Sequence, residues 1–521
     1  MRKLVQHLAN IMRLLFPAYT WRGRLLLRLV PDSLTAGVGR AYRNFIATAE
    51  PNLWHPVVSD YQGTDPLVTV LVPMFNTPDA YLRPLLDSLC NQTFTHFEVI
   101  IADASTDTLR AAAIESASKV DPRFHYVRLA TNAGISDNTN AALAHATAPY
   151  VAFVDHDDTL SLHAMNEVAT VLIADPDIDI VYSDEDVLSE NGLDRRNPFI
   201  KPVWSPHMFL ECNYTNHLSV IRRSLVEAVG GLHSDFDGAQ DYDLLLRLHT
   251  MTRPPKVCHI PAVLYHWRQT ATSTARKITT KNYAVDAGRT ALTEYLHRVG
   301  VACDGVDDAP EQPGWYRIKP RWDASVTVVC SGPAAAHVDT LRKATKPSAC
   351  HPNWLSQPGE FDASVLDKSD AVVLVSQLYL PDDPSWLDDL VGVLTLPRAT
   401  VVAPLLAGPE GRVDSAGFAW DGAGVLNILH GNHLSKGNMC GPTHMVRDVD
   451  AISRAVVAAK WDDLELLSHN PDLPTLVVVP AGRGHAVVWA HQCMTRREGL
   501  RRDGYVNMHI DVGGMGWVAP R

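Results

Sequence analysis

The stretch YVAFVDHDDT (residues 150–159) decides how the rest of the chain is interpreted. Its apolar run, residues 151–154, is typical of a buried strand that ends at a polar turn. Buried strands of an open α/β sheet present ligand-binding groups at their carboxyl ends. The carboxylates of Asp155, Asp157 and Asp158 follow this run, and such a group suits a divalent cation that also contacts phosphate. Taken alone, the pattern fits a solvated acidic turn better than a metal site.

Length and composition indicate a globular protein of several domains. The chain has 521 residues, which predicts two or three domains rather than one. Its formal net charge of −12 at pH 7 argues against a nucleic-acid-binding protein. The eight cysteines include no CxxC pair, which favours reduced thiols in the cytoplasm over a zinc site or a disulfide framework. No stretch is apolar for long enough to predict a membrane-spanning helix.

The chain divides into three predicted segments. Residues 1–66 form a basic amphipathic segment and a linker, residues 67–304 a first α/β unit, and residues 305–521 a second α/β unit. Residues 1–30 contain six Arg and Lys residues and no acidic residue, with apolar residues at helical spacing. A helix of this kind could lie as a peripheral contact on the inner face of the cell membrane, or it could pack on the protein's own core.

Predicted strands and helices alternate from residue 67 onward, which indicates a parallel sheet covered by helices. The predicted strands of this part are 67–72, 97–102, 124–129, 150–154 and 178–182, and the predicted helices are 79–90, 108–119, 135–146 and 161–174. After Pro198 the pattern indicates a mixed extension of the sheet. It comprises strands at 199–204 and 217–221, a helix at 239–249 and a strand pair within 256–267. The second unit has predicted strands at 326–329, 371–375, 400–403 and 476–479.

The first unit resembles the family 2 glycosyltransferases, which have the GT-A fold. The resemblance covers roughly residues 67–276 and rests on the order and spacing of eight motifs. They are VTVLVPMFNT (69–78), FEVIIADASTD (97–107), NAGISDNTNAAL (132–143), VAFVDHDD (151–158), DIVYSDED (179–186), FIKPVWSP (199–206), FDGAQDYDLLLR (236–247) and LYHWRQTATSTA (264–275). The chain looks most like bacterial enzymes that build surface polysaccharides such as O-antigen or rhamnan.

The resemblance implies an α/β protein with a GT-A unit, a Rossmann-like mixed sheet flanked by helices, and a second, degenerate GT-A-like unit. The second unit is called degenerate because its strand at 371–375 is followed by no carboxylate. The implied activity is an inverting transfer of a sugar from a nucleotide-diphosphate donor to a hydroxyl of a glycan or lipid-linked acceptor, with Mn²⁺ or Mg²⁺. One alternative is a nucleotidyltransferase, which the loop after the first strand disfavours because it is neither basic nor glycine-rich. The other is a non-catalytic scaffold or acceptor-binding subunit of a polysaccharide assembly complex.

By the same resemblance, Asp155 and Asp157 form the metal-binding pair, with Asp155 also on the ribose or sugar side. Asp158 could take either role. Asp241, at the entrance of a predicted helix, corresponds to the catalytic base of the family. The alternatives are that Asp241 only caps the helix, or that Asp243 is the base.

Five further residues are implied to bind the donor. Pro73, Asn76, Asp103 and Asn132 correspond to the lining of the nucleotide pocket, and Arg268 would contact the diphosphate. Pro and Asn are also ordinary residues of turns at strand ends, and Asp103 could instead cap the following helix.

Three other features of the sequence have two interpretations each. His266 is either a third metal ligand or a histidine of the core or rim. Trp204 either stacks on a sugar ring or only packs. The acidic residues 184–186 either face the acceptor or hold Lys201 in a salt bridge.

Overall fold

The computed structural model describes residues 42–496, except for 59–60, 62, 64, 108, 271–281, 310–313, 347–349, 421–424, 428–433, 435–445, 469–474 and 481. The basic segment of residues 1–30, and the membrane contact predicted for it, lie outside the described residues. Within the described part of the chain, no helix is both long enough and apolar enough to cross a membrane.

The first sheet is mixed, and nine of its strands lie in the described residues. They are β1 (Val68–Met74), β2 (Phe97–Asp103), β3 (Phe124–Arg128), β4 (Tyr150–Phe153), β5 (Thr159–Leu160), β6 (Ile180–Leu188), β7 (Arg195–Phe199), β8 (Ser219–Arg222) and β9 (Val257–Arg268). Their order is β3-β2-β1-β4-β8-β6-β9-β5, with β7 paired to β6. Strands β1 to β4 are parallel, β8 runs antiparallel to β4 and β6, and β9 runs parallel to β6. The α/β class predicted from the sequence is confirmed.

Helices connect and cover these strands. They are α1 (Asp79–Cys90), α2 (Leu109–Val120), α3 (Ile135–Leu143), α4 (Ala164–Ala174), α5 (Pro206–Phe209), α6 (Arg223–Ala228), α7 (Gln240–Leu248) and α8 (Asn282–Arg298). In α1, Leu82, Leu85, Leu86 and Leu89 recur at helical spacing and are buried, which is why this helix packs on the sheet. The bounds of α1 are those predicted from the sequence.

Two predictions about the mixed extension of the sheet are wrong. The strand predicted at 199–204 lies earlier, as β7, which places Pro198 in an edge strand where no backbone N–H is needed. The strand pair predicted within 256–267 is one continuous strand, β9. Its register against β6 shifts between Ile260 and Val263, so Pro261 lies at a bulge that the ladder tolerates.

The second sheet also has nine strands in the described part of the chain. They are β12 (Val326–Ser331), β13 (Asn353–Gln357), β14 (Ala371–Val375), β15 (Leu380–Pro381), β16 (Ala399–Ala407), β17 (Val413–Ser415), β20 (Arg447–Val449), β22 (Val456–Lys460) and β24 (His485–Thr495). The order β13-β12-β14-β22-β16-β24-β15 repeats the order β2-β1-β4-β8-β6-β9-β5 of the first sheet, with each strand in the same direction relative to its neighbours. The second unit is therefore an α/β unit of the same type. Its strand β14 corresponds to β4, and Ser376 and Gln377 follow it where the first unit has acids.

The remaining elements join or border the two sheets. A hairpin of β10 (Cys303–Asp308) and β11 (Tyr316–Pro320) lies between them in sequence, and α9 (Val338–Lys343) and α10 (Trp386–Gly392) belong to the second unit. A small sheet contains β18 (Phe418–Trp420), β19 (Val425–Asn427), β21 (Ala451–Ser453) and β23 (Leu476–Val478). One apolar cluster contains Leu71 of the first sheet and Val326 of the second, so the two units share a core. The boundaries predicted after residues 66 and 304 stay predictions.

Candidate active site

Two residues of β9 hold the acidic turn after β4 in place. Asp158 is fully buried, and its carboxylate accepts hydrogen bonds from the Tyr265 hydroxyl and the Arg268 backbone N–H, both at 2.6 Å. The backbone N–H of Asp155 donates to the same Tyr265 oxygen at 3.2 Å. Burial raises the pKa of Asp158 well above its ordinary value, and the charges of Asp155 and Asp157 raise it further. Asp158 thus anchors the turn, and its carboxylate is not presented to a ligand.

Asp155 and Asp157 have more open surroundings. Desolvation raises the pKa of Asp155, the charge of His217 lowers it, and the charge of Asp157 raises it again. The Asp155 side chain remains 43% exposed. Asp157 is half-buried, and its backbone oxygen accepts a hydrogen bond from Arg268 Nε at 2.7 Å. Two neighbouring carboxylates that remain accessible and repel each other are suitable donors for a cation.

A cavity at this edge of the sheet brings Asp155 and Asp241 together. Its lining comprises Pro73, Ile135, Thr139, Phe153, Val154, Asp155, Asn216, His217, Ser219, Ile221, Leu232, Gln240, Asp241, Leu244 and Leu245. Asp241 contributes to the electrostatic environment of Asp155, although the two residues belong to different elements. A mostly apolar cavity with a few convergent polar groups is the usual form of a small-molecule site.

Asp241 lies in the first turn of α7, where the alternatives considered for it can be compared. The N-cap position of α7 belongs to Ala239, so Asp241 is not the capping residue. The Asp241 carboxylate accepts a hydrogen bond from the Asn216 side-chain amide. Asp243 is buried and accepts hydrogen bonds from Arg247 Nε at 2.9 Å and from its Nη2 at 2.7 Å. Asp243 is therefore committed to an internal ion pair, whereas Asp241 faces the cavity.

His217 is a site residue that the sequence analysis missed. Its Nε2 lies 3.9 Å from Asp155 Oδ2, its Nδ1 lies 3.1 Å from Glu185 Oε2, and its ring stacks on Tyr265 with centroids 4.7 Å apart. Burial lowers the pKa of His217, but the hydrogen bond and charge of Glu185 outweigh this effect and raise it to about 9. A strand was predicted to begin at this residue, whereas β8 begins two residues later. The polar pair Asn216-His217 directly before an apolar run was the available signal.

Glu185 of β6 pairs with Lys201, which agrees with one of the two interpretations given for the acidic residues 184–186. Glu185 Oε2 lies 3.7 Å from Lys201 Nζ, and Asp184 Oδ1 accepts the Lys201 backbone N–H at 2.8 Å. Burial lowers the pKa of Lys201 to about 8, and the charge of Glu185 partly offsets this. Lys201 Nζ also donates to the backbone oxygen of His217 at 2.8 Å. Glu185 and Lys201 thus support the loop that carries His217.

The predicted nucleotide-binding acid, Asp103, has several internal partners. Its Oδ1 accepts the Ser105 backbone N–H at 2.8 Å, and its Oδ2 accepts the Tyr126 hydroxyl and Arg128 Nη1, both at 2.9 Å. Helix α2 begins at Leu109, so Asp103 does not cap it. These bonds fix the loop after β2, and they are made by a side chain that is fully buried.

The other residues predicted to bind the nucleotide lie in loops at the same edge or, for Pro73, at the end of strand β1. Asn76 has a φ of 51°, and its Oδ1 accepts the Thr106 backbone N–H at 3.0 Å, which joins the loops after β1 and β2. Asn132 is exposed, and its Oδ1 accepts Asn138 Nδ2 at 2.8 Å. Pro73 lies within β1 and lines the cavity. Asn76 and Asn132 therefore both act in loop structure, and Pro73 shares the cavity with Asp155 and Asp241.

Arg268 and His266 lie at the end of β9 and are both buried. Arg268 Nη1 donates to the backbone oxygen of Glu190 at 3.3 Å, and its guanidinium lies 5.3 Å from the centroid of the Tyr81 ring. His266 Nδ1 lies 2.7 Å from Asp186 Oδ1. In the described residues, no group of three or more His, Cys, Asp or Glu side chains is arranged to hold a metal ion. This geometry favours the core interpretation of His266.

Trp204 packs inside the protein. Its ring stacks on His249 with centroids 4.8 Å apart and contacts the rings of Phe209 and Tyr214. These contacts favour the packing interpretation over a stacking platform for a sugar.

Residues 69–230 match the family model described as Glycosyl transferase family 2. The chain contains a family 2 glycosyl transferase domain. The match includes β1 to β8 and the acidic turn, and it ends before Asp241 and Arg268. The family predicted from the motifs is thus confirmed, and the mixed sheet flanked by helices agrees with the GT-A fold implied by the resemblance.

Bacterial proteins show similarity that extends beyond the family 2 domain. The O-antigen biosynthesis protein RfbC of Myxococcus xanthus is 31% identical over 399 residues, which are 68% of this chain and 30% of that protein. An uncharacterised protein of Sinorhizobium fredii is 30% identical over 417 residues, which are 72% of this chain and 45% of that protein. The chain therefore spans less than half the length of these two curated relatives.

A solved structure with similarity is the mannosyltransferase PcManGT of Pyrobaculum calidifontis, in complex with GDP-Man and Mn²⁺. It is 21% identical, with a TM-score of 0.33, over 51% of this chain and 78% of that one.

Proposed function

We propose that this chain transfers a sugar, with inversion, from a nucleotide-diphosphate donor to a hydroxyl of a glycan or lipid-linked acceptor. The reaction would serve the synthesis of a bacterial surface polysaccharide at the cytoplasmic face of the membrane. The observation that carries the proposal is the cavity shared by Asp155 and Asp241 at the carboxyl edge of the first sheet. The family 2 domain and the O-antigen biosynthesis relative support the choice of reaction.

The acidic turn fits a divalent cation, Mn²⁺ or Mg²⁺. Desolvation and the charge of Asp157 both raise the pKa of Asp155, so positive charge would stabilise the ionised pair. Two carboxylates are a sufficient protein contribution for a cation that takes its other ligands from phosphate and water. Asp155 and Asp157 would hold the ion, and the bound ion would neutralise charge on the departing diphosphate.

Asp241 would act as the general base. Its carboxylate would accept the proton of the acceptor hydroxyl while the hydroxyl oxygen attacks the anomeric carbon. Inversion requires this attack from the side opposite the diphosphate, and a base on α7 across the cavity from the acidic turn suits that arrangement. On the nucleotide side, Pro73, Asn76, Asp103 and Asn132 would form the wall of the donor site. Arg268 would contribute through its hold on the acidic turn and its charge near the diphosphate.

The experiment that tests the proposal is nucleotide release from a panel of UDP-, dTDP- and GDP-linked sugars with an acceptor mixture. Each assay is run with Mn²⁺, with Mg²⁺ and with EDTA. We expect metal-dependent release from one donor, lost in Asp157→Ala and reduced about 10²- to 10⁴-fold in kcat in Asp241→Asn, since a general base contributes about that factor.

Asp177→Asn is the matched control, because Asp177 is exposed and precedes β6 at the opposite edge of the sheet. It should retain the wild-type rate. Equal turnover by wild type and Asp241→Asn would refute the assigned base. Donor binding without turnover in every assay would instead support the scaffold or acceptor-binding alternative.

A further inference from the structure

We propose that Asn216 is a positioning residue that orients the carboxylate of Asp241 for proton transfer. This inference rests on the proposed function, because it assigns a partner to the proposed base. Asn216 lies three residues before β8, at the same edge of the sheet as the acidic turn, and it lines the shared cavity.

The hydrogen bonds around Asn216 determine which end of its amide faces Asp241. Asn216 Nδ2 donates to Asp241 Oδ2, so the N–H end of the amide faces an acceptor oxygen of the carboxyl group. The other end of the amide, Oδ1, accepts from the Ser219 hydroxyl at 3.5 Å. The Ser219 hydroxyl has a single proton, which it shares between Asn216 Oδ1 and the closer backbone oxygen of Thr215 at 3.1 Å in the same loop. The amide is therefore oriented with its N–H donor toward Asp241 and its oxygen toward the Ser219 hydroxyl.

This contact has two consequences for the proposed base. It uses one acceptor position of Asp241 Oδ2, so we expect the proton of the acceptor hydroxyl to reach Oδ1. It also connects α7 with the loop before β8, and the next residue of that loop, His217, lies beside Asp155. The dipeptide Asn216-His217 therefore lies against two of the three acids assigned to the reaction, Asp241 and Asp155. The dipeptide thus links the position of the proposed base to the position of the nucleotide-sugar site.

The contact is more specific than ordinary packing would require. Asp243, two residues after Asp241 on the same helix, is neutralised by Arg247 within α7 itself. Asp241 instead accepts a hydrogen bond from the neutral side-chain amide of Asn216, which belongs to the loop before β8. A neutral donor orients a carboxylate without balancing its charge, which leaves the carboxylate able to take up a proton.

The test compares Asn216→Ala and Asn216→Asp with wild type in the nucleotide-release assay across pH, using the donor that the panel identifies. Asn216→Ala should lower kcat about 10- to 100-fold, because a misplacement near 1 Å can cost about that factor. The KM for the donor should stay within about twofold of wild type, since the amide does not hold the donor. The acid limb of the kcat profile should move to higher pH, because the ionised base loses a hydrogen bond.

Asn216→Asp retains the shape of the side chain and replaces its N–H hydrogen-bond donor by a second carboxylate. Its acid limb should move further than that of Asn216→Ala, because like charges disfavour ionisation. Asn166→Ala is the matched control. Asn166 is a fully buried asparagine of α4 whose Oδ1 accepts the Val58 backbone N–H at 2.9 Å, and it does not line the cavity. It should lose stability and keep the wild-type pH profile.

A wild-type kcat and acid limb in Asn216→Ala, or a rise in donor KM with kcat unchanged, would overturn the inference. If Asn216→Ala fails to fold, Asn216→Asp decides: an unshifted acid limb there overturns the inference equally. Failure of the proposed function has a different signature, namely wild-type kcat in Asp241→Asn or no turnover of any donor.

Discussion

Replacing His217 by Gln should weaken the pH dependence of folding stability between pH 6.5 and 7.5. Burial alone would lower the pKa of His217, but Glu185, through its hydrogen bond and charge, and then Asp155 raise it to about 9 from 6.5. In the unfolded chain the ordinary value near 6.5 applies. Between these values the folded protein holds a proton that the unfolded chain has released, so the free energy of unfolding falls as the pH rises.

The magnitude follows from the two pKa values. A shift from 6.5 to about 9 is worth about 3 kcal/mol when both states are compared below pH 6.5. About 1 kcal/mol of this should disappear between pH 6.5 and 7.5. That window ends below pH 8, where Lys201 of the folded protein has lost half of its proton occupancy. Above pH 8 the lowered pKa of Lys201 gives the opposite slope, because the unfolded chain then binds more protons than the folded one.

The assay is urea unfolding followed by tryptophan fluorescence at pH 6.5 and 7.5, with EDTA present so that no divalent cation binds the acidic turn. The free energy of unfolding should fall by about 1 kcal/mol more in wild type than in His217→Gln when the pH rises from 6.5 to 7.5. His297→Gln is the control, because His297 is exposed near the end of α8, and it should follow wild type. If wild type and His217→Gln show the same difference between the two pH values, the reasoning about Glu185 and Asp155 is refuted.

Two further substitutions test the packing of the second unit. In Gly392→Ala the added Cβ would lie 2.1 Å from the backbone oxygen of Pro320. We therefore expect the free energy of unfolding to fall by about 1–3 kcal/mol or more, measured by thermal unfolding. In the control Gly359→Ala the added Cβ would meet nothing within 4 Å, so its stability should be close to that of wild type. An equal melting temperature for the two variants would contradict the close approach. Asp448→Ala should lower the free energy of unfolding by about 2–3 kcal/mol, because the Ser205 hydroxyl and the His207 backbone N–H, both buried, would lose their acceptor. We expect limited proteolysis to cleave this variant faster than wild type. Cleavage of the variant at the wild-type rate would contradict a role of Asp448 in holding the two units together.

The sequence predicts those elements best whose signals are local. Helix α1 follows Pro78 and carries its leucines at helical spacing, and the five apolar residues of β14 are bounded by polar residues, so both were predicted with the bounds observed. Strands that depend on a distant partner were misplaced or missed. β5 and β15 have two residues each and exist only because β9 and β24 pair with them. Pairing of this kind cannot be read from a local pattern.

The acidic turn was predicted as a site, but the different roles of its acids were not. Asp158 resembles Asp155 and Asp157 in sequence, and it is distinguished by its hydrogen bonds to Tyr265 and Arg268, on a strand more than a hundred residues later. His217 was missed for a related reason, because its pKa depends on Glu185 from another strand. The chemical types of residues at a strand end are visible in the sequence, whereas their charges depend on contacts between distant segments.

The second unit, which has no acid in the turn directly after β14, still has a connection to the proposed base. Asp448 of β20 accepts hydrogen bonds from the Ser205 hydroxyl at 2.6 Å and the His207 backbone N–H at 3.0 Å, both at the start of α5. At the end of α5, the backbone oxygen of Phe209 accepts the Tyr242 hydroxyl at 2.8 Å. Tyr242 is the residue after Asp241 in α7. The second unit is therefore connected through α5 to the helix that carries the proposed base, and a unit that repeats the strand order without the acidic turn can be retained for this support.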